Sequence, residues 1–440
     1  MPAMSTAIPA QAVREVLGQR ILTSGMDVVC DLMRCKGNRL WDAARDTAYL
    51  DMFTFYASRP LTFDHPALVD PAYRERMGRL AAHKPSNCDI YTGEYAAFVE
   101  AMSRTAAADW PHMFVVSGGA LAVENALKCD FDWKSHKNEA AGRSASGGRV
   151  AHFEHAFHGR SGYTMSLTDS PDPRKTARYP KFTDWPRLPT PSCRFPLDEG
   201  DNLALTAAAE EDSLGRLRRI FEEAPHEIAA ILIEPIQGEG GDAHLRPEFL
   251  RGLRALADEH EALLIFDEVQ TGFGLTGSWW AYQELGVKPD LVCFGKKFQV
   301  CGFLASDRVD DVDGVFKVPS RISSTFEGNL VDMVRCTEVL NTVERDGLLG
   351  HVKAEGAWLL EQLHGLASRH DWVTAPRGMG LMVAFDLPDG DSRDEVLERC
   401  FEEGLIILGC GDRSLRFRPS LDVSRDDLAE ALAIIERCLP

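Results

Sequence analysis

Ala262-Leu263-Leu264-Ile265-Phe266 runs directly into Asp267-Glu268-Val269-Gln270, and the reading of that junction decides the fold. An unbroken apolar run that stops at a carboxylate fits a strand buried on both faces, as in parallel sheets covered by helices. Such sheets keep their ligands outside the carboxyl ends of the strands, so Asp267 is placed at a crevice. Further on, Asp290-Leu291-Val292-Cys293-Phe294 reads as a second short strand that leads into Gly295-Lys296-Lys297. Gly295 is expected to let the chain turn, bringing a lysine to the same crevice. Adjacent side chains on a strand leave on opposite faces, so only one of the two lysines is expected there.

Outward from this pair, short β-rich runs at 113–116, 149–153, 229–233, 262–266 and 290–294 alternate with helical patterns. That alternation marks a parallel sheet with crossover helices, and the chain reads as an α/β protein whose large domain spans 71–330. Residues 1–70 read as an N-terminal arm and part of a small domain, with a short helix over 11–19 and a strand over Tyr49–Phe55. Residues 331–440 read as a C-terminal small domain, with helices over 333–343 and 352–368 and strands near 380–386 and 404–408. Seven prolines between 171 and 196 exclude regular structure there and place that loop over the surface or a subunit boundary. The polar, Gly/Ser-rich stretch 138–148 is expected to be mobile.

Composition narrows the function classes. A chain of 440 residues can bury a large core, and a formal charge of -19 without a basic run argues against a nucleic-acid partner. No apolar run approaches the roughly 18 residues of a membrane span, and Met1 to Ala12 lacks the basic start and apolar core of an export signal. Eleven cysteines contain no Cys-x-x-Cys pair, so they read as reduced thiols of a cytoplasmic protein, and no metal site is expected.

A carboxylate and an amine aimed at one ligand are what pyridoxal 5'-phosphate requires. It joins a lysine covalently, and its ring withdraws electrons well only while a buried carboxylate keeps the pyridine nitrogen protonated. Val269 can then pack beneath the ring and Gln270 can donate to the ring hydroxyl. The plain alternative is a satisfied core aspartate beside two surface lysines. Phe114-Val115-Val116 followed by Ser117-Gly118-Gly119-Ala120 and a helical run forms a strand, a glycine turn and a helix start, with Gly119 and Ala120 as donors to a phosphate. Taken alone it is equally a plain connection. Phe157 can stack on the pyridine face, and Arg160 can hold a carboxylate through two parallel hydrogen bonds.

Asp267 through Gly277, Lys288-Pro289-Asp290 and Gly295-Lys296 together resemble the signature of the class III (ω-) aminotransferases, which are pyridoxal-phosphate enzymes of fold type I. The resemblance implies a large domain with a mainly parallel central sheet and a smaller α/β domain built from both termini. It implies that Lys296 carries the cofactor opposite Asp267, with Gly119, Ala120, Phe157, Val269 and Gln270 around it. Thr325 matches a threonine that reaches the phosphate from the neighbouring subunit, which implies a homodimer with shared active sites. Arg416 matches an arginine that grips the α-carboxylate of glutamate or 2-oxoglutarate, with Arg418 as the fallback. Glu239 matches an acid that neutralises this arginine when a terminal amine is the donor, letting one site serve both substrates.

Lys84-Pro85-Ser86-Asn87, Phe131-Asp132-Trp133-Lys134 and Lys296-Lys297-Phe298-Gln299-Val300-Cys301-Gly302 extend the resemblance to the lysine 6-aminotransferase branch of that family. On this resemblance the donor is L-lysine at its ε-amine, the acceptor is 2-oxoglutarate, and Arg160 holds lysine's α-carboxylate. The alternatives are an ω-aminotransferase for ornithine, acetylornithine, 4-aminobutyrate or a diamine, or a fold type I protein that does not transfer amines. The chain departs from the branch at Ser117, where an acid is usual, at Phe298, where threonine is usual, and at Phe326-Glu327-Gly328, which replaces Trp-Gly-Gly.

Overall fold

The computed structural model describes residues 8–440. The N-terminal reading of Met1 to Ala12 therefore lies in part outside the described residues. A seven-stranded sheet runs in the order His112–Val116, Cys301–Ala305, Leu291–Phe294, Leu263–Asp267, Ile228–Ile233, Arg149–Phe153, Arg187–Leu188. The four pairings from Leu291–Phe294 to Arg187–Leu188 are parallel. Cys301–Ala305 is antiparallel to both of its neighbours.

Alternate residues of the central strands feed two separate cores, which is why their sequences are apolar throughout. Leu264, Phe266, Val292 and Phe294 pack on one face with Phe249, Leu250 and Leu253 of the helix Pro247–Glu259. Leu263, Ile265, Leu291 and Cys293 pack on the other with Ala122, Val123, Ala126 and Leu127 of the helix Gly119–Ala140. The strand Cys301–Ala305 has an apolar run that is interrupted by Gly302. It works because Gly302 lies against the Phe114 carbonyl, where any Cβ would stand 2.0 Å from that oxygen.

The two ends of the chain meet in a three-stranded sheet, in which Thr47–Asp51 pairs antiparallel with Arg39–Asp42 and parallel with Leu405–Ile406. A four-stranded sheet of Thr374–Met379, Met382–Asp386, Ser414–Phe417 and Leu408–Cys410 carries Arg416.

Several local expectations are corrected. The strand foreseen over Tyr49–Phe55 stops at Asp51, and Thr54, Phe55, Tyr56 and Ala57 all take positive φ, from 45° to 66°. Left-handed backbone costs non-glycine residues roughly 1–2 kcal/mol each, so tertiary contacts must hold it. Buried Asp51 accepts the Phe53 and Thr54 N–H groups at 3.0 and 2.7 Å and pairs with Arg59 at 3.2 Å, while the Thr54 hydroxyl donates to the Arg418 carbonyl. The stretch foreseen as mobile from 138 is helical to Ala140, and buried Asn138 donates to the carbonyls of Ala145 and His226 at 3.1 Å each. The proline-rich loop contains the 3-10 turn Pro173–Lys175 and the edge strand Arg187–Leu188. The foreseen helices are Val13–Gly18, Leu330–Arg345 and Leu348–Ala367. Among the described residues no helix is long and apolar enough to cross a membrane.

Candidate active site

The carboxyl ends of the sheet strands converge on one cavity of about 830 Å³, a size usual for a small-ligand site. Asp267 ends its strand there, nearly inaccessible to solvent. One of its oxygens takes the His158 Nδ1 at 2.8 Å and the other accepts the Val269 N–H at 3.1 Å. His158 is fully covered, so this contact fixes the orientation of the carboxylate. Glu234 stands at the end of the neighbouring strand Ile228–Ile233 and accepts the N–H groups of Phe157 and Gly238 at 2.9 and 3.1 Å. Burial pushes its carboxyl up to about 7, with His158 opposing and Asp267 adding to the shift.

Lys296 lines the cavity at a positive φ of 50°, a strained conformation for a lysine and of the kind that gathers at functional sites. Burial lowers its amine below the ordinary lysine value, Arg416 lowers it further, and Asp267 and Glu234 oppose the shift. Lys297 is buried elsewhere and donates to the carbonyls of Arg59 at 3.0 Å and Pro419 at 2.8 Å. Only one lysine enters, as foreseen, but the reason differs. Lys296–Phe298 is a 3-10 turn and not a strand, and the turn sends the two amines apart. Gly295 also differs from expectation, since its φ of 179° is open to any residue. Glycine is needed there for closeness, because a Cβ would meet the Cys301 Sγ at 3.1 Å and the Val269 Cγ1 at 3.3 Å.

Gly119 and Ala120 open the 22-residue helix Gly119–Ala140, whose Gly118 cap has φ 109° and whose first turn has neither a side-chain cap nor an acid. Its first N–H groups are thus left for an external anion, and both residues line the cavity. Phe157, Val269, Gln270 and Arg160 line it as well. The Gln270 oxygen accepts from Arg416 at 3.2 Å and Arg418 at 3.0 Å, which leaves its amide N–H₂ for donation.

The two foreseen substrate arginines are both in the wall, and neither makes an ion pair among the described residues. Arg160 is exposed. Arg416 is 6% exposed; it donates to the Gly238 carbonyl at 2.9 Å, and its Nε has no partner. Arg418 is excluded as a substitute, being locked in a buried two-point pair with Asp242. Glu239 is expected to pair with Arg416 when a terminal amine is bound, and no such pair is present among the described residues of this structure. Glu239 instead accepts from Lys175 at 2.5 Å and Ser170 at 2.8 Å. Thr325 is exposed and does not line this cavity; its carbonyl lies 3.3 Å from the Cys88 Sγ.

None of the departures from the branch, at Ser117, Phe298 and Phe326-Glu327-Gly328, lines the cavity. Phe298 is a core ring between Phe273 and Trp280, with centroids 4.4 and 4.9 Å away, and Glu327 is half-buried, its carboxyl pushed up by burial and by Asp89. The reading of the sequence missed Glu234, Lys175, Tyr56, Ser58 and Cys301 as lining residues. Glu234 carried the same signal as Asp267, an apolar run ending in a carboxylate. Tyr56 arrives through the left-handed turn, which its sequence does not announce.

The class-III aminotransferase family model matches residues 22–439. This chain belongs to the class-III aminotransferases. The aminotransferase is 50% identical over 433 residues to the L-lysine-epsilon aminotransferase of Mycobacterium tuberculosis, covering 97% of this chain and 95% of that one. It is 49% identical to the L-lysine-epsilon aminotransferase of Amycolatopsis lactamdurans, covering 98% of this chain and 96% of that one. A solved structure of the M. tuberculosis lysine aminotransferase superposes with a TM-score of 0.95 at 49% identity, covering 98% of this chain and 99% of that chain. The cofactor of this aminotransferase is pyridoxal 5'-phosphate. The residues present fit it: an uncapped helix start for the phosphate, a rigidly held carboxylate for the ring nitrogen, and a desolvated lysine share one cavity.

Proposed function

We propose that this aminotransferase transfers the ε-amino group of L-lysine to 2-oxoglutarate, giving 2-aminoadipate 6-semialdehyde and L-glutamate, as a cytoplasmic homodimer with shared active sites. The observation that carries this reading is the presence of two guanidinium groups without carboxylate partners, Arg160 and Arg416, in the wall of the cavity that holds Lys296. L-Lysine has one carboxylate, distant from its reacting amine, and 2-oxoglutarate has two. Arg160 fits the distal carboxylate of either molecule, and Arg416 fits the α-carboxylate of the acceptor. The names of the relatives at 49–50% identity support the same donor.

Each residue then has a task. Bound pyridoxal phosphate supplies the electron sink that makes the carbon–hydrogen bond beside the amine acidic. Asp267, oriented by His158 and the Val269 N–H, is placed to keep the ring nitrogen protonated. Phe157 and Val269 would flank the ring, Gln270 would donate to its hydroxyl, and Gly119 and Ala120 would hold the phosphate with Thr325 of a second copy. Lys296, its amine biased toward the neutral form, takes the proton from the substrate carbon at Nζ and would deliver it to the cofactor carbon bearing the nitrogen, so that the amino group stays with the cofactor.

The test is a donor panel. L-Lysine, L-ornithine, N-acetylornithine, 4-aminobutyrate and a diamine are each offered with 2-oxoglutarate, and glutamate is measured. The highest kcat/KM is expected for L-lysine; a higher value for another donor rejects the substrate assignment and leaves the family standing.

A further inference from the structure

Lys175 is a cation in the cavity wall for which the reaction as described has no use. It comes from the proline-rich loop, at the end of the turn Pro173–Lys175. Asp172 caps that turn through the Arg174 N–H at 3.0 Å and also takes the Arg174 guanidinium at 2.8 and 3.0 Å. The neighbouring cation is thereby engaged locally, and Lys175 reaches inward to the Glu239 carboxylate at 2.5 Å, beside the Ser170 hydroxyl at 2.8 Å.

Glu239 shares the cavity wall with two cations, Lys175 and Arg416. Its own carbonyl is fixed by the Gly411 N–H at 2.7 Å, and the carbonyl of the residue before it, Gly238, is held by Arg416 at 2.9 Å. The backbone of 238–239 is thus tied to Arg416 while the side chain of Glu239 is turned to Lys175. Lys175, Glu239 and Arg416 line one cavity, so a change of partner for the Glu239 carboxylate crosses open space and not packed core. The two cations differ in what they lose. The Lys175 side chain is 34% exposed and can be rehydrated, whereas Arg416 is 6% exposed and has an unpartnered Nε.

The geometry points to Lys175 as a specificity-determining residue that competes with Arg416 for the Glu239 carboxylate, keeping Arg416 open to a carboxylate-bearing acceptor until an arriving amine terminus requires it neutralised. This rests on the proposed role of Arg416 in holding the acceptor. With Lys175 in place the acceptor meets a bare guanidinium, and the donor meets one that Glu239 can cover. Without Lys175, Glu239 settles on Arg416 and the acceptor must displace it.

The holoenzyme is tested with glutarate, a dicarboxylate that cannot react, by calorimetry, and with the two half-reactions followed separately. Lys175→Met is expected to weaken glutarate binding about tenfold, an ordinary size for coupling between neighbouring groups, and to raise the KM for 2-oxoglutarate while the KM for lysine stays or falls. Lys175→Arg should restore glutarate binding. Glu239→Gln should raise the KM for lysine, and adding Lys175→Met to it should leave glutarate binding as in Glu239→Gln alone. If Glu239→Gln alters neither half-reaction, the competition for Arg416 does not exist, and the proposal falls together with the reading beneath it. If Glu239→Gln acts as expected but Lys175→Met binds glutarate within twofold of the unaltered enzyme, Lys175 has no such role and the reading of Arg416 stands. An equal loss from Lys175→Met in both backgrounds means that Lys175 attracts the anion by its own charge, which also overturns the proposal.

Discussion

Lys296 and Lys297 are neighbours in the chain with opposite surroundings, one opening on the cavity and one closed on two carbonyls. Lys296→Ala is expected to reduce turnover by three or more orders of magnitude, measured as glutamate release, with little change in Tm. Lys297→Ala is expected to keep activity per folded molecule but to lower unfolding free energy by about 2–4 kcal/mol, because a buried side chain is removed and two carbonyls lose their donor. A second expectation concerns Glu234, whose carboxyl is raised by burial from 4.5 to about 7. A carboxyl with a raised folded-state pKa gives stability that is whole below pH 4.5 and is lost as pH climbs through about 7. Relative to Glu234→Gln, the unaltered protein should therefore lose about 3 kcal/mol between pH 5 and 8 in denaturant unfolding; a flat difference would remove the burial argument. Asp267 was legible because a strand ending in an acid is a local pattern. Lys175 was not, because its reach to Glu239 depends on how a loop folds over residues far along the chain.

The helix start at Gly119 and the turn at Gly159 meet at Ala120, both line the cavity, and together they are the proposed phosphate cradle. Gly159 has a φ of 114°, and a Cβ there would lie 2.4 Å from the Ala120 Cβ and 2.9 Å from its Cα. Gly159→Ala must push Ala120 aside, so cofactor affinity should fall more than tenfold when the cofactor-free protein is titrated with pyridoxal phosphate. Affinity within twofold of the unaltered protein would remove Ala120 from the cradle. At this scale the three central strands were the most readable elements, since burial on both faces left only Ile, Leu, Val, Ala, Cys and Phe in them up to the terminal Asp267. The strand Cys301–Ala305 was hidden by its glycine, and the reversal at Thr54–Ala57 by residues that favour extended backbone. Asp51, Arg59 and Arg418 override that preference from outside the segment.

In the molecule as a whole, Thr325 lies outside the cavity of its own chain. If it serves a second copy, mixing Lys296→Ala subunits with Thr325→Ala subunits creates one intact site per mixed dimer. Activity should rise above the sum of the two parent preparations after co-refolding, and the absence of any rise places Thr325 in its own site or in none. The three-stranded sheet has a further consequence. Its closing strand Leu405–Ile406 and the strand bearing Arg416 leave the ribosome long after Asp267, Lys296 and the Gly118-Gly119 turn. During synthesis the sheet edge that carries Asp267 and Lys296 is made first, and the cavity is closed by Leu408, Gly409 and Arg416 only when the later chain returns to the strand made near the beginning.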